Sequence, residues 1–410
     1  MTNRFGLLGE HLGHSFSPQI HAVLGSPDYG LYEVEPEKLT EFLETTPLLG
    51  MNVTIPYKKA VVPLCAALSP AARRIGSVNT LRRTPRGWYG DNTDYAGFRY
   101  MLSSVGFDPK GKKAVVFGTG GAGVTVCAVL RDLGAAEVIS VSRTGPENYG
   151  NLDRHRDAEL VVNATPVGMY PENGRAAAGL GSFPRCRAVL DLIYNPARTA
   201  LLLEAEELGI PFRNGLGMLA AQAHGSEEVF LDKTLPGELI EKAAGSVGKT
   251  TENLILIGMP GCGKTRLGKL LAKALDRPFL DADAVLTREA GRSPAEIIRQ
   301  DGEAAFRALE TRVLAELGKG SGTVIATGGG CVVRPENRNL LRQNGRVFWV
   351  RRELARLPVS DRPLSQSVGP EELYRRRKDL YAAFADHQAE NNSSPEAAVK
   401  EILEQWEKSF

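Results

Sequence analysis

The chain has 410 residues, of which 42% are hydrophobic and 24% are charged, and its formal net charge is +2 at pH 7. This length predicts two or three domains, each with its own core, and the composition is that of an ordinary globular protein. A net charge so near zero gives no reason to expect nucleic acid or an anionic membrane as a partner.

The five cysteines are scattered, with no CxxC pair among Cys65, Cys127, Cys186, Cys262 and Cys331. An odd number without ligand spacing predicts reduced thiols and not a disulfide framework or a zinc site. No stretch approaches the roughly 18 apolar residues of a membrane span, and the first residues lack a signal-peptide pattern. We therefore expect a cytoplasmic protein, either a monomer or a homodimer.

Strand and helix signals alternate along the chain. Short apolar runs such as RFGLLG, LLGMNVTI, AVVFG and AVLDLIY stand between amphipathic stretches such as PEKLTEFLETT. This alternation favours parallel α/β sheets. From Gly215 to about Ala244 the pattern turns helical, and the following string AAGSVGKTTEN (243–253) is small and polar, which predicts a linker before a second half.

Four strings of short polar residues lie in the first hundred positions: HSFSPQIH, NVTIPYKK, SVNTL and GDNTDYAGF. Uncharged donors and acceptors of this size suit a polyhydroxylated small molecule better than an apolar ligand. Lys58 and Asp94 are the only nearby pair that can move a proton to or from an oxygen at neutral pH. Taken singly, each string is as readily explained as a helix cap, a turn or a solvated surface.

A glycine-rich loop follows the apolar run AVVF, where Gly118, Gly120 and Gly123 have the spacing G-x-G-x-x-G. In such a loop the glycines allow a tight turn and a close approach of the backbone to a pyrophosphate at a helix N-terminus. The chain has 44 glycines, so this spacing alone leaves an ordinary Gly-rich turn open as the alternative.

The residues after the next apolar run favour NADP(H) over NAD(H). An acidic residue at this place would bind a ribose 2′-hydroxyl, whereas an arginine accommodates a 2′-phosphate, and the sequence is Ser142-Arg143-Thr144. Only 14 residues separate Thr144 from Glu159. They are too few for a full helix and another strand, so we expect the nucleotide-binding domain to be trimmed at 145–158.

The string LILIGMPGCGKT opens the second half with another phosphate-binding pattern, G-x-x-x-x-G-K-T. The loop between Gly258 and Gly263 would supply backbone amides to phosphates. Lys264 would reach the β- and γ-phosphates, and the Thr265 hydroxyl would bind Mg²⁺. This pattern is far more specific than the first and indicates phosphoryl transfer. Cys262 lies inside the loop, at a position that needs a small side chain.

Charged residues and glycines downstream complete the second half. Asp281 and Asp283 in LDADAVL share one face at a strand end, where carboxylates serve Mg²⁺ or a substrate hydroxyl. Arg307 and Glu310 are three apart on one helical face. The glycines of TGGG (327–330) would let the backbone approach a ligand closely.

Taken together, the strings of the first 245 residues resemble the shikimate dehydrogenase family along their whole length. HSFSP, GMNVTIPYK, GSVNTL, GDNTDYAGF, FGTGGAG, SRT, NATPVGM, DLIYNP and GLGMLAAQA occur in family order. The resemblance implies a substrate domain at 1–100 that is completed by 215–245. A Rossmann-like NADP-binding domain at 101–214 would lie between the two parts.

The same resemblance implies roles for individual residues. Lys58 and Asp94 would be the catalytic acid/base pair that protonates the carbonyl oxygen as hydride arrives. The residues that would hold the substrate are Ser15, Ser17, Asn52, Thr54, Lys58, Asn79, Asp94, Tyr194 and Gln222. The residues that would contact NADP(H) are Gly118, Gly120, Gly121, Ala122, Gly123, Ser142, Arg143, Thr144, Asn163, Thr165, Gly217 and Met218.

Residues 254–410 resemble the shikimate kinase family, with GMPGCGKT, LDADAVL, DGEAAFRALE, TGGG, DRPL and RRRKDLY in family order. The resemblance implies a P-loop NTPase-type α/β domain, like that of nucleoside monophosphate kinases, after a linker at 246–253. A lid at about 352–366 would be shorter than in many family members.

This second resemblance also assigns residues. The catalytic ones would be Lys264, Asp283 and the lid residue Arg362. Those that would bind shikimate are Asp283, Arg307, Gly329, Gly330 and Arg377. Those that would bind ATP are Gly258, Gly261, Cys262, Gly263, Lys264, Thr265, Arg266 and Arg362, with Mg²⁺ on Thr265 and Asp281.

The two resemblances imply consecutive reactions. The first family reduces 3-dehydroshikimate to shikimate, and the second phosphorylates the hydroxyl so formed, on the route to chorismate and the aromatic amino acids. We therefore expect a bifunctional enzyme that uses NADP(H), ATP and Mg²⁺ and acts on small molecules, with neither nucleic acid nor membrane as a partner.

Three alternatives stay open. The first half could prefer quinate or NAD, or it could be a non-catalytic module on a working kinase. The second half could instead drive an NTP-dependent scaffold, although Arg307 and Arg377 suit recognition of a substrate carboxylate.

Overall fold

The computed structural model describes residues 4–13, 15–357 and 369–410. The chain divides into two compact units, Met1–Tyr194 with Thr199–Val247 and Asn195–Arg198 with Gly248–Phe410. Among the described residues, no helix is both long and apolar enough to cross a bilayer.

The first unit contains two β-sheets with helices between their strands. Its strands are β1 (Phe5–Gly9), β2 (Gly30–Glu33), β3 (Gly50–Val53), β4 (Cys65–Leu68), β5 (Thr80–Thr84), β6 (Gly87–Asp91), β7 (Lys113–Phe117), β8 (Glu137–Val141), β9 (Leu160–Asn163), β10 (Ala188–Asp191) and β11 (Phe212–Arg213). Its first seven helices are α1 (Ser17–Leu24), α2 (Leu39–Thr45), α3 (Pro70–Ile75), α4 (Asp94–Ser104), α5 (Gly121–Asp132), α6 (Ala200–Glu207) and α7 (Leu216–Leu231).

The first sheet has six strands in the order β2-β1-β3-β5-β6-β4 and is mixed, not parallel throughout. β1 runs parallel to β2 and β3, whereas β5 pairs antiparallel with both β3 and β6. Only Pro85 and Arg86 connect β5 to β6. A connection this short can only reverse the chain, because a parallel pair needs a crossover of a dozen or more residues. The expectation of parallel pairing is therefore wrong for this hairpin.

The second sheet has five strands, all parallel, in the order β11-β10-β9-β7-β8. Val115, Val116 and Phe117 of β7 are fully buried, as is usual for a central parallel strand with helices on both faces. β7 pairs with β8 on one side and β9 on the other. The order of the strands therefore reverses at the carboxyl end of β7, which is where open α/β sheets bind their ligands. Between β8 and β9 the chain forms a single 3₁₀ turn, Leu152–His155.

A helix occupies the segment that the sequence analysis took for a linker. Helix α8 runs from Glu238 to Thr251 without a break. Ala243, Ala244 and Val247 are buried at helical spacing and pack against α1 and α7. The boundary between the two units, at Val247 and Gly248, falls inside the predicted linker. The segment is helical there and not a loop, because small residues also allow helices to pack closely.

The second unit is built around a five-stranded parallel sheet. Its strands are β12 (Asn253–Ile257), β13 (Phe279–Asp281), β14 (Val324–Ala326), β15 (Gly345–Arg351) and β16 (His387–Glu390), in the order β13-β14-β12-β15-β16. The helices that follow α8 are α9 (Lys264–Leu275), α10 (Ala282–Ala290), α11 (Pro294–Asp301), α12 (Glu303–Gly318), α13 (Glu336–Arg342), α14 (Pro370–Phe384) and α15 (Pro395–Glu407).

The sheet core and the helix caps of this unit follow from its sequence. Leu254 through Ile257 of β12 are fully buried in the centre of the sheet. Helix α11 begins with a capping box, in which the Ser293 hydroxyl accepts from the Glu296 amide and the Glu296 carboxylate accepts from the Ser293 amide. This local signal fixes where α11 begins.

Candidate active sites

All nine residues predicted to hold the substrate line one cavity of about 320 Å³ in the first unit. They come from distant parts of the chain, namely the start of α1 and the residues before it, strand β3 and the turn after it, the residue before β5, the start of α4, the loop after β10, and helix α7. Two of the predicted cofactor residues, Ala122 and Met218, line the same cavity. The cavity therefore joins the predicted substrate residues to part of the dinucleotide loop.

Lys58 and Asp94 form the charged centre of this cavity. Lys58 Nζ lies 2.6 Å from Asp94 Oδ2, and both side chains are partly buried. Asn79 Nδ2 donates to the other oxygen, Asp94 Oδ1, at 3.0 Å. Both oxygens of the carboxylate are thus held by side chains, so its position relative to the ammonium group is fixed. An ammonium group in this position can give a proton to an oxygen, and the neutral amine that remains can take one back.

The rest of the wall combines hydroxyls, an amide and apolar side chains. The Ser15 hydroxyl donates to Ser17 Oγ at 3.1 Å, and Gln222 Oε1 accepts from Asn79 Nδ2 at 3.3 Å. Sequence reasoning missed the remaining lining residues, which are Leu7, Val53, Leu192, Gly215 and Leu219. Nothing in their local patterns separates them from ordinary core residues.

The first glycine-rich loop turns tightly between β7 and α5. Gly118 has a φ of 106°, which favours glycine. A Cβ on Gly123 would lie 2.1 Å from the carbonyl oxygen of Gly118, whereas one on Gly120 or Gly121 would meet nothing within 4 Å. The first and third glycines therefore let helix and strand pack closely. The open side of Gly120 and Gly121 at the N-terminus of α5 fits the pyrophosphate of a dinucleotide.

The other predicted cofactor residues lie at the same edge of the second sheet. Ser142, Arg143 and Thr144 follow β8, and Arg143 and Thr144 are exposed, which fits recognition of a 2′-phosphate. Asn163 and Thr165 follow β9. Gly217 and Met218 lie in the first turn of α7.

Asn163 is placed to shape this edge of the sheet and has little surface to offer a ligand. It is 1% exposed, its Oδ1 accepts from the Thr165 hydroxyl at 2.6 Å, and its Nδ2 donates to Asp191 Oδ1 at 3.0 Å. Asp191 also accepts from the Thr199 hydroxyl and the Ile193 amide. Burial raises the pKa of Asp191 to about 6. The buried carboxylate ties together the loops that follow β9 and β10.

A Gly123→Ala substitution should raise the KM for NADP⁺ in shikimate oxidation by roughly 10- to 100-fold. The added methyl group would collide with the Gly118 carbonyl and displace the loop. Gly181→Ala is the matched control, since its Cβ would meet nothing within 4 Å. Steady-state kinetics with varied NADP⁺ measure the effect, and an unchanged KM in the Gly123 variant would contradict it.

The second phosphate-binding loop borders a cavity of about 600 Å³ in the second unit. Lys264 is 7% exposed, and its Nζ donates to the carbonyls of Gly258 at 2.8 Å and Met259 at 3.1 Å. The loop backbone thereby holds the ammonium group against the loop. Such an arrangement binds phosphate oxygens.

Thr265 and Asp281, predicted to hold Mg²⁺, are brought together by the structure. The Thr265 hydroxyl donates to Asp281 Oδ2 at 2.7 Å. Asp281 Oδ1 accepts from the backbone amides of Asp283 and Ala284 and so caps α10. One hydroxyl and one carboxylate match the oxygen donors through which proteins hold Mg²⁺ together with nucleotide phosphates.

Buried charges form the far wall of this cavity. Arg307 is 5% exposed and bonds Glu310 Oε2 at 2.7 Å, while Arg377 donates to the carbonyl of Gly329 at 3.1 Å. Burial and the neighbouring Asp281 raise the pKa of Asp283. The lining includes three arginines and three carboxylates, namely Arg266, Arg307, Arg377, Asp281, Asp283 and Glu310. Arginines beside carboxylates suit a small anion that also carries hydroxyl groups.

Gly330 allows the close approach of Arg307 to the glycine string. A Cβ on Gly330 would lie 2.2 Å from Arg307 Nη1. Glycine at this position therefore leaves room for the guanidinium group to line the cavity.

Most of the other residues predicted for this site also line the cavity. The set comprises Gly261, Gly263, Arg266, Gly329 and Gly330, together with the residues described above. Gly258 and the buried Cys262 lie outside the lining. Arg362 lies outside the described residues, as does most of the predicted lid. Sequence reasoning did not assign Glu310 to the site. Its helical spacing from Arg307 was the available signal, because a buried arginine needs a carboxylate partner.

Comparisons with known proteins agree with the family resemblance of each half of the chain. A family model for the shikimate dehydrogenase substrate binding domain matches residues 7–81. The chain is 33% identical over 263 residues to the shikimate dehydrogenase (NADP(+)) of Clostridium perfringens (strain SM101), covering 58% of this chain and 97% of that relative. For the enzyme of Methanopyrus kandleri the identity is 36% over 274 residues, covering 59% and 94%. The chain belongs to the shikimate dehydrogenase family.

Solved structures give the same assignment for the dehydrogenase half. A chorismate mutase/shikimate 5-dehydrogenase fusion protein from Clostridium acetobutylicum is 37% identical with a TM-score of 0.56, covering 58% of this chain and 95% of its own. The Thermus thermophilus shikimate 5-dehydrogenase in complex with NADP(H) and shikimate is 33% identical with a TM-score of 0.54, covering 59% and 98%.

The C-terminal part matches a second family. A family model for shikimate kinase matches residues 260–407. The predicted fusion of a shikimate dehydrogenase with a shikimate kinase and its α/β fold class are thereby confirmed. The roles of individual residues stay predictions.

Proposed function

We propose that the first cavity reduces 3-dehydroshikimate to shikimate and that the second transfers a phosphoryl group from ATP to the hydroxyl so formed. The observation that carries the proposal is the convergence of nine polar side chains, drawn from the whole first unit, on one cavity with the Lys58–Asp94 pair at its centre. The product of the first reaction is the substrate of the second.

The dehydrogenase domain uses NADP(H), and the kinase domain uses ATP with Mg²⁺. The open side of Gly120 and Gly121 fits the pyrophosphate of NADP(H), and the exposed Arg143 fits its 2′-phosphate. Lys264 and the Thr265–Asp281 pair fit the phosphates of ATP and Mg²⁺.

In the first site, NADPH supplies the hydride that reduces the carbonyl carbon. Lys58 donates the proton to the carbonyl oxygen, and Asp94 stabilises the ammonium form and takes part in restoring the proton. Asn79 keeps Asp94 in place through its second oxygen. The hydroxyls and amides of Ser15, Ser17, Asn52, Thr54 and Gln222 orient the ring by binding its substituents.

In the second site, ATP supplies the phosphoryl group with Mg²⁺ as its counter-charge. Asp283 accepts the proton of the attacking hydroxyl, and its raised pKa makes it a better base than an exposed aspartate. Arg307 and Arg377 hold the carboxylate of shikimate. Lys264 balances the negative charge that moves onto the leaving phosphate, so that ADP departs as the new ester bond forms.

Each of the three sheets belongs to a part of the chain with its own proposed role. We assign substrate binding for reduction to residues 1–100 with 215–245, NADP(H) binding to 101–214, and phosphorylation to 254–410. The five cysteines are free, in keeping with a cytoplasmic protein, and we propose a monomer or a homodimer.

The proposal is tested by mixing purified protein with 3-dehydroshikimate, NADPH, ATP and Mg²⁺ and following NADPH loss and ADP release together. NADPH loss should not need ATP, and ADP release should need either 3-dehydroshikimate with NADPH or shikimate alone. ADP release that is indifferent to shikimate would refute the kinase assignment. Absence of NADPH loss would refute the dehydrogenase assignment.

The same preparation separates the alternative specificities. Rates with shikimate against quinate, and with NADP⁺ against NAD⁺, should favour shikimate and NADP⁺. Faster oxidation of quinate or a preference for NAD⁺ would reverse the assignment. A non-catalytic first half would oxidise neither shikimate nor quinate. The close pairing of Lys58 with Asp94 supports a catalytic first half.

A further inference from the structure

We propose that Ser226 is a positioning residue for shikimate reduction, because its hydroxyl fixes the side-chain amide of Asn52. Ser226 lies in α7, is 0% exposed and does not line the cavity, so it does not touch the substrate. Asn52 lines the cavity and is 5% exposed. The inference rests on the proposed function of this cavity.

The Ser226 hydroxyl joins three segments of the chain. Its oxygen accepts from Asn52 Nδ2 at 2.7 Å and lies 2.8 Å from Thr80 Oγ1 and 3.0 Å from Thr93 Oγ1. The Ser226 hydroxyl itself donates to the carbonyl of Gln222, one helical turn earlier, at 2.9 Å. Because its hydrogen is used in that bond, the lone pairs of Ser226 Oγ are available to the neighbouring donors. The hydroxyl is therefore an acceptor for the Asn52 amide group.

Tyr29 holds the other end of the same amide. The Tyr29 hydroxyl donates to Asn52 Oδ1 at 2.8 Å, and its ring stacks on His21 at 3.9 Å between centroids. Asn52 Nδ2 also donates to the Asn79 carbonyl at 3.2 Å and to Thr80 Oγ1 at 3.4 Å. Among the hydrogen bonds of the described residues, Oδ1 has Tyr29 as its one partner. The side chain is thus held in the orientation that leaves one oxygen lone pair for a ligand.

This orientation decides what Asn52 offers to the substrate. The oxygen of an amide fixed in this orientation accepts a hydrogen bond from a substrate hydroxyl, whereas the flipped amide would present N–H groups there. Ring hydroxyls of shikimate can donate such a bond. Ser226 and Tyr29 therefore select a hydroxyl-bearing ring by holding Asn52 as an acceptor.

The effect of losing Ser226 should fall on binding and not on chemistry. Lys58 and Asn79 hold Asp94, and within the described part of the chain Ser226 bonds none of the oxygens or nitrogens of the Lys58–Asp94 pair. Ser226→Ala should raise the KM for shikimate roughly fivefold to tenfold while kcat changes by less than about twofold. The assay is NADP⁺-dependent shikimate oxidation without ATP, in which the kinase site is silent.

Two controls separate positioning from a loss of stability. Ser104→Ala removes a hydroxyl that donates to the carbonyl of Met101 within its own helix, and it should leave KM and kcat unchanged. Phosphorylation of shikimate by the same Ser226→Ala preparation should equal that of the unaltered protein. Tyr29→Phe acts on the same amide from its other end and should also raise KM, so it tests the inference even if Ser226→Ala folds poorly.

A double-variant cycle decides whether Ser226 acts through Asn52. In an Asn52→Ala background, Ser226→Ala should cause no further rise in KM, because no amide is left to orient. An equal rise in both backgrounds, or a fall in kcat with KM unchanged, would overturn the inference. If the unaltered protein fails to oxidise shikimate with NADP⁺, the proposed function fails first, and this inference fails with it.

Discussion

Replacing Lys58 with alanine is expected to lower kcat for NADP⁺-dependent shikimate oxidation by about a thousandfold, with phosphorylation of shikimate unchanged. Lys58 Nζ is bonded to Asp94 at 2.6 Å inside the cavity, and no other lysine is among the residues that line it in the described part of the chain. Removing it leaves the reacting oxygen without the group that accepts its proton in oxidation and donates it in reduction, and it leaves Asp94 without its cation. Initial rates of NADPH formation at saturating shikimate measure the loss.

Two further variants identify what Lys58 contributes. Lys59→Ala removes an exposed neighbouring lysine and should retain full activity. Lys58→Arg keeps the positive charge but replaces a transferable proton with one that does not leave at neutral pH, so its activity should stay low. Full activity in the arginine variant would mean that charge alone suffices, and full activity in Lys58→Ala would refute the acid/base assignment.

The parts of the molecule that sequence could predict are those in which the decisive contacts are local. Gly118 and Gly123 are close in sequence, and their spacing favoured a tight passage from β7 to α5, beside the alternative of an ordinary Gly-rich turn; the structure shows the tight passage. The second loop, with Lys264 bound to carbonyls five and six residues earlier, is equally local. Residue spacing can predict local geometry of this kind.

Other parts depend on partners far apart in sequence, which spacing cannot show. The bond between Asn52 and Ser226 spans 174 residues, and Ser226 reads in isolation as a neutral position in a helix. The continuation of helix α8 beyond Ala244 was missed for a related reason. Its small residues become helical through packing against α1 and α7, and composition alone gives no sign of those partners.

The charged cluster of the kinase site lies between these cases. Helical spacing predicted that Arg307 and Glu310 share a face, and the structure joins them at 2.7 Å. The spacing could not show that the pair is buried, nor that Gly330 would lie against the guanidinium group. Burial is a property of the assembled sheet, and it is burial that raises the pKa of the nearby Asp283.

Lys264→Ala should lower kcat for shikimate phosphorylation by roughly a hundred- to a thousandfold, because the transferring phosphate loses its fixed cation. Release of ADP in the presence of shikimate and Mg²⁺ measures the loss, and NADP⁺-dependent shikimate oxidation by the same preparation should be unchanged. Lys269→Ala in the same helix removes an exposed lysine and is the matched control. Equal losses in the two variants would show that the effect is not specific to the phosphate-binding loop.

The two lysine variants together give the sharpest test of the tandem reaction. Lys264→Ala supplied with 3-dehydroshikimate, NADPH, ATP and Mg²⁺ should consume NADPH and accumulate shikimate, whereas Lys58→Ala should leave 3-dehydroshikimate unchanged but phosphorylate added shikimate. Mixing the two variants should restore the formation of shikimate 3-phosphate from 3-dehydroshikimate, since each retains the site that the other lacks. If the mixture makes none while each variant keeps its single activity, shikimate released by one chain does not reach the other, and the assignment of two independent sites sharing a free intermediate is wrong.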